Sequence, residues 1–288
     1  MAGFRSNHNH SGVRSTILSD LIKGGMKFNR NLILIIFTCI LLNTIISGQV
    51  SAHRPLTTQT AYPVDVHKIK LESGIKYVNF PADDEAYSLD VELNYGVINN
   101  LDIGVEVPYV FWRPEAGEKV DTIGDMILKS RLLFLKGREG NPLSLTIQPF
   151  YKVPSTENDK SVLRSGPGLS TGETDFGFLF IGTREMDYIT AHMNLGYVFI
   201  NRPSFGSDYQ NVFSFKLAME YKALNNIELV GELTGEKNKN AHDDDIFSIL
   251  LGTRFPLTDD ILIDAGFNVG LSDSSPDYVT TMGLTMGF

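Results

Sequence analysis

His192 and Asn194 stand two residues apart in "AHMNLGY", a spacing that puts both side chains on one face of an extended strand. A histidine and a serine so placed serve a hydrolase as base and nucleophile, but asparagine brings no nucleophile. The pair therefore reads as polar filler, and no catalytic residue is assigned. "HDDD" (His242 to Asp245) gathers an imidazole and three carboxylates, donors that a divalent cation takes. Its spacing matches no defined cation loop, and a solvated acidic turn is the simpler reading, so no metal site is assigned. "GPGLSTG" (Gly166 to Gly172) lacks the Gly-Lys-Ser/Thr ending of a phosphate loop and reads as an exposed loop entering a strand. Charges of both signs also recur on one face of many segments, as with Glu106, Lys129 and Arg131. Such charges either line a watery path or pair with one another and fill it.

The elements that carry these residues show a period of two. In "LDIGVEVPYVFW", Leu101, Ile103, Val105, Val107, Tyr109 and Phe111 alternate with Asp102, Gly104, Glu106 and Pro108. "FSFKLAMEY", "ILIDAGFNVGL" and the closing "YVTTMGLTMGF" alternate in the same way. Twelve strands are expected near 68–79, 86–98, 101–112, 123–136, 142–153, 172–183, 188–200, 211–222, 227–236, 246–255, 261–271 and 278–288. No helical period of useful length follows residue 52.

The 288 residues are 42% hydrophobic and 20% charged, with a net charge of −9. The sole cysteine, Cys39, lies in the apolar run "LILIIFTCILLNTIIS". "MKFNRN" precedes that run and "VSA" follows it, the basic, apolar and small-residue order of a secretory signal peptide. Cleavage is expected after Ala52. Residues 1–25 then read as an upstream extension from a misplaced start, 26–52 as the signal, 53–67 as an N-terminal periplasmic segment and 68–288 as the barrel argued below. Residues 1–52 hold five basic residues and one acid, so the remainder carries −13 and is a poor partner for nucleic acid.

A soluble β-sandwich also alternates, so other features must choose the fold. Segments of ten residues or more are long for a soluble strand and suit a tilted strand crossing a bilayer. Connections alternate in character. "NN", "GREGN", "REMD", "LNN" and "LTDD" are short, whereas "RPEAGEKVD", "NRPSFGSDYQ" and "GEKNKNAHDDD" are long and polar. Short turns on one side and long loops on the other mark an outer-membrane barrel. Aromatics near strand ends, among them Tyr109, Phe111, Trp112, Tyr197 and Phe199, suit an interfacial girdle. The expected fold is all-β: a transmembrane antiparallel barrel of about twelve strands in the outer membrane of a Gram-negative bacterium, preceded by a cleavable signal peptide.

Parity then gives the lumen face: Asp102, Glu106, Lys129, Arg131, Gln148, Phe150, Lys152, Asp175, His192, Asn194, Lys216, Glu220, Glu232, Arg254, Asp264 and Asn268. Phe150 beside Lys152 would pair an aromatic surface with a cation and so favour aromatic acids. The final strand ends on Phe288, which resembles the signal by which outer-membrane proteins reach the barrel-assembly machinery. Expected partners are outer-membrane lipid, that machinery and a small solute. No cofactor is implied.

"HRPLTTQTA", "LDIGVEVPYVFW", "GDMILKSRLLFL", "AHMNLGYVF" and "LAMEYKALNNIELVGELTGE", in that order, resemble the MetA-pathway phenol-degradation family of outer-membrane proteins. The likeness covers nearly all of the chain after residue 52. It implies a channel or uptake protein, linked in some members to aromatic compounds. One departure is Pro154-Ser155-Thr156, where the family usually has proline, threonine and glycine. Two readings stand: a passive channel for small solutes, or a non-conducting barrel with a structural or surface-binding role.

Overall fold

The structure, a computed structural model, describes residues 52–81, 84–115, 119–138, 142–154, 173–201, 208–224 and 226–288. The expected extension and signal up to Ser51, Cys39 included, lie outside these residues, as do Gly166–Gly172 and Ser155–Thr156.

Thirteen strands form one antiparallel sheet: β1 (Ile69–Asn79), β2 (Glu85–Ile98), β3 (Leu101–Arg113), β4 (Val120–Ile123), β5 (Met126–Leu135), β6 (Leu143–Val153), β7 (Asp175–Glu185), β8 (Ile189–Phe199), β9 (Val212–Leu224), β10 (Ile227–Glu236), β11 (Ile246–Pro256), β12 (Ile261–Gly270) and β13 (Tyr278–Gly287). Sequence neighbours pair, β1 pairs with β13, and β2 pairs with β3, so the sheet closes on itself. Closure pairs every long strand on both sides, and among the described residues only the short β4, at the long-loop rim, has a single partner. Phe288 completes the seam, since its N–H donates to Ile69 O at 2.8 Å and its carbonyl accepts from Ile69 N at 2.9 Å.

β4 and β5 are two halves of one stave, expected as a single strand over 123–136. Both pair with β3 and are separated at Gly124 and Asp125. Opposite the break stands Pro108, which has no N–H to extend the ladder, and its carbonyl accepts instead from Gly124 N at 2.8 Å. The barrel therefore has twelve staves.

The sides of the wall are reversed relative to a soluble protein. Met282 and Leu251 are 69% and 67% exposed, whereas Asp102, Glu72 and Asn194 are each 1% exposed. A broad exposed apolar surface over a polar interior is what hydrocarbon outside and water inside demand. At the long-loop rim, Tyr77 meets Tyr87 and Tyr278 at centroid distances of 5.0 and 5.9 Å, and Phe176 stacks on Phe199 at 6.1 Å, forming part of an aromatic girdle. Trp112, expected among these, points the other way: it is buried and packs edge-on to Phe80 at 5.6 Å. Parity puts it on the same face as Asp102 and Glu106.

Leu251, midway along β11, tests this orientation. Leu251→Arg is expected to destabilise the barrel by about 2–4 kcal/mol in reversible urea unfolding from lipid vesicles. An unchanged midpoint would remove Leu251 from the lipid face.

Candidate functional site

Residues 53–67, expected as a periplasmic segment outside the barrel, run inside it. From its first described residue the segment traces the inner wall and reaches almost every stave before entering β1. Arg54 donates to Thr281 Oγ1 at 2.8 Å and Met282 O at 3.2 Å, and faces Asp264 at 3.4 Å. A Cβ on Gly74 or Gly283 would strike the Arg54 guanidinium, and one on Gly252 would stand 2.7 Å from Pro55 Cγ. Glycine on the inward parity of these strands is thus the seat that lets the segment approach. Leu56 packs into a buried apolar patch of Ala218, Val230 and Leu250, burial worth about 1.5–3 kcal/mol.

From Thr57 to Val64 wall side chains satisfy the extended backbone in place of a sheet partner. Glu232 accepts from Thr57 N, Thr58 N and Thr57 Oγ1 at 2.8, 2.6 and 2.9 Å. Asn194 accepts from Gln59 N at 2.7 Å and donates to Gln59 O at 2.9 Å. Thr183 accepts from Ala61 N, Thr146 donates to Ala61 O, and Asp102 accepts from Val64 N. Arg254 donates to the carbonyls of His53 and Arg54 at 2.7 and 2.5 Å. Val66 bridges to Gly96, and His67, at a left-handed φ of 63°, turns the chain into β1.

Many candidate lumen residues are therefore engaged by the segment: Asp102, Asn194, Lys216, Glu232, Arg254 and Asp264 all touch it. Others pair along the wall. Arg131 grips Asp102 through two nitrogens at 2.5–3.1 Å, and Lys129 bridges Glu92 and Glu106 at 2.8 and 3.3 Å. Lys152 is held between Asp125 and Asp175 at 3.0 and 2.5 Å, so it is not the free cation that an aromatic acid would need. Asn268 donates to Ser248 Oγ at 3.0 Å.

His192 Nδ1 lies 2.9 Å from Thr183 Oγ1 and its Nε2 lies 3.2 Å from Glu220, a hydroxyl–imidazole–carboxylate order. Thr183 is fully buried and already accepts from Ala61 N, so it presents no nucleophile to a substrate. In the "HDDD" loop, His242 faces Asp208 at 2.7 Å, Asp243 accepts from Asn240 and Asp245 accepts from Asn238 N. The first joins two neighbouring loops and the other two are turn contacts.

The reading by spacing missed Lys70, Glu72, Lys76, Asp90, Glu92 and Asn94 on β1 and β2. They are polar residues of the same alternation, so their parity was available. His53, Glu72 and Glu92 bring ligand-type atoms within 4.8 Å of one another. Lys70 and Lys129 already sit on the two carboxylates at 3.1 and 2.8 Å and supply the positive charge that a metal would bring.

Two cavities flank the segment. The larger, about 350 Å³, lies toward the long-loop ends of the staves and is walled by Lys76, Asp90, Phe150, Leu179, Val198 and Lys216, with residues 53–57 as its floor. The smaller, about 190 Å³, lies toward the short turns beside Thr60, Tyr62, His192 and Glu220. Burial pushes the Tyr62 phenol above its ordinary range, which keeps it neutral there.

The profile of the family described as "Putative MetA-pathway of phenol degradation" matches residues 52–288. The chain belongs to that family. No curated protein matches the sequence. Among solved structures, an outer-membrane channel from Pseudomonas putida F1 is similar at a TM-score of 0.64 and 12% identity, covering 83% of this chain and 100% of that one. The NanC porin aligns at 0.53 and 11%, covering 76% and 98%, and the KdgM porin at 0.50 and 8%, covering 77% and 99%. At these identities the likeness is one of fold. Together with the closed wall and its apolar outer surface, it places this member of the family in the bacterial outer membrane.

Proposed function

We propose that the protein is a passive channel of the outer membrane and that its larger cavity receives small aromatic solutes without net charge. The observation that carries this is the wall of that cavity. Phe150, Leu179 and Val198 provide an apolar surface, while Lys76 is paired with Asp90 at 2.7 Å and Lys129 with Glu92. Lys216 on the same wall donates to Thr57 Oγ1 at 2.9 Å, and an apolar face beside charges so engaged suits a ring bearing a hydroxyl better than a carboxylate, which needs an uncommitted cation. The similar channel and porins support a conducting role. Export through cleavage after Ala52 and assembly through the strand ending at Phe288 belong to the same proposal, with the long loops outside the cell and the short turns in the periplasm. Thr183, the hydroxyl beside His192, is sealed, which supports a non-enzymatic reading.

The test is single-channel current through the refolded barrel in a planar bilayer. Uncharged single-ring phenols should produce transient blocks, and Phe150→Ala should weaken them roughly 5-fold, the size of one aromatic contact. Blocks by aliphatic alcohols should not change. Equal blocking by phenols and benzoates, or indifference to Phe150→Ala, would remove the aromatic assignment. A folded barrel with no current would favour the second reading, a structural barrel sealed by its own internal segment.

A further inference from the structure

His53 is held at three points. Its backbone nitrogen donates to Glu72 Oε1 at 3.1 Å, its Nδ1 meets Glu72 Oε2 at 2.8 Å, and its carbonyl accepts from Arg254 at 2.7 Å. Around it the charges do not balance. Glu72, Glu92 and Glu106 face Lys70, Lys129 and the His53 imidazole, which is a cation only when protonated, because Lys76 is taken by Asp90, Arg131 by Asp102 and Arg54 by Asp264. With a neutral imidazole one carboxylate is in excess in a place where Glu72 is 1% exposed, and an uncompensated buried charge is costly.

A peptide N–H at His53 donates a hydrogen bond but carries no charge. An α-ammonium group at the same atom does both. The sequence supplies a way to make one, since "VSA" ends at Ala52 behind an apolar run and a basic stretch. Leu32 to Ile46 is apolar, whereas the surroundings of His53 are ionic, so the two have no affinity for a common site.

We propose that cleavage between Ala52 and His53 creates a buried α-ammonium that pairs with Glu72 and locks the internal segment in place. Signal removal then does more than release the chain. It completes the charge set of the lumen, so residues 53–64 are held more firmly in the processed protein. The proposal rests on the export reading above, but not on whether the barrel conducts.

The experiment uses the full chain, expressed with its own leader in a Gram-negative host and extracted folded from the outer membrane. Intact mass and N-terminal peptide mapping should show His53 as the first residue. Acylation by an amine-reactive ester should modify the His53 α-amine on the order of 100-fold more slowly in the folded than in the unfolded barrel, as a group reached only by local opening behaves. A variant processed to leave one additional alanine before His53 keeps every wall residue. Its displaced α-amine should lose this protection, and Thr57 and Thr58 N–H should exchange faster. A first residue other than His53, equal acylation of folded and unfolded protein, or an extended variant as protected as the natural chain would each overturn the proposal. All three are read equally well on a silent barrel.

Discussion

Deletion of residues 53–64 is expected to raise single-channel conductance roughly 3- to 10-fold while leaving the barrel folded. Twelve staves enclose more space than the wall side chains fill, and the deleted stretch occupies much of what remains. The wall does not depend on it, since backbone pairing between neighbouring strands is independent of the segment. What the wall loses is satisfaction of polar groups: Glu232, Asn194, Thr183 and Asp102 each give up a partner, and water entering the opened lumen replaces it. The Leu56 patch on Ala218, Val230 and Leu250 becomes wet, so a modest fall in thermal stability should accompany the gain in conductance. Planar-bilayer recording of the two forms reads the result. If their conductances were equal, the segment would not be the constriction, and the long loops would be the next place to look.

Arg131→Ala should be among the most damaging single changes, costing about 3–5 kcal/mol, because Arg131 is 2% exposed and its removal strips Asp102 of its counter-charge. Asp102 is itself 1% exposed and would retain the Val64 N–H. The cost therefore reflects a stranded carboxylate more than a lost attraction. Asp102→Ala is expected to cost a similar amount by stranding the guanidinium. Combining Asp102→Asn with Arg131→Met should cost clearly less than either alanine change, since neither charge is left alone. Urea unfolding of the four proteins in vesicles checks this. Additive losses in the double variant would mean that the two side chains do not depend on each other, against the geometry.

How much of this was legible beforehand differs by level. A period of two over segments of ten residues, together with alternating short and long connections, sufficed for the barrel and its stave count, because hydrocarbon outside and water inside impose that pattern residue by residue. Parity alone also put Asp102, Lys129, Asn194 and Glu232 on one face. The break at Gly124 was less accessible, because it depends on Pro108 across the ladder, whereas the inward turn of Trp112 follows from the same parity as Asp102 and Glu106.

The internal segment was not legible at all. "HRPLTTQTA" has no period, and a short polar stretch before the first strand looks the same whether it hangs in the periplasm or lines a lumen. Its signals lie on other strands, far away in sequence: glycines at 74, 252 and 283 that leave room for Arg54 and Pro55, and a carboxylate at 232 that meets two threonine amides. Alternation is local and survives in the one-dimensional string. Which inward groups face water and which face the chain's own backbone depends on contacts across the closed barrel, so only the tertiary structure decides it.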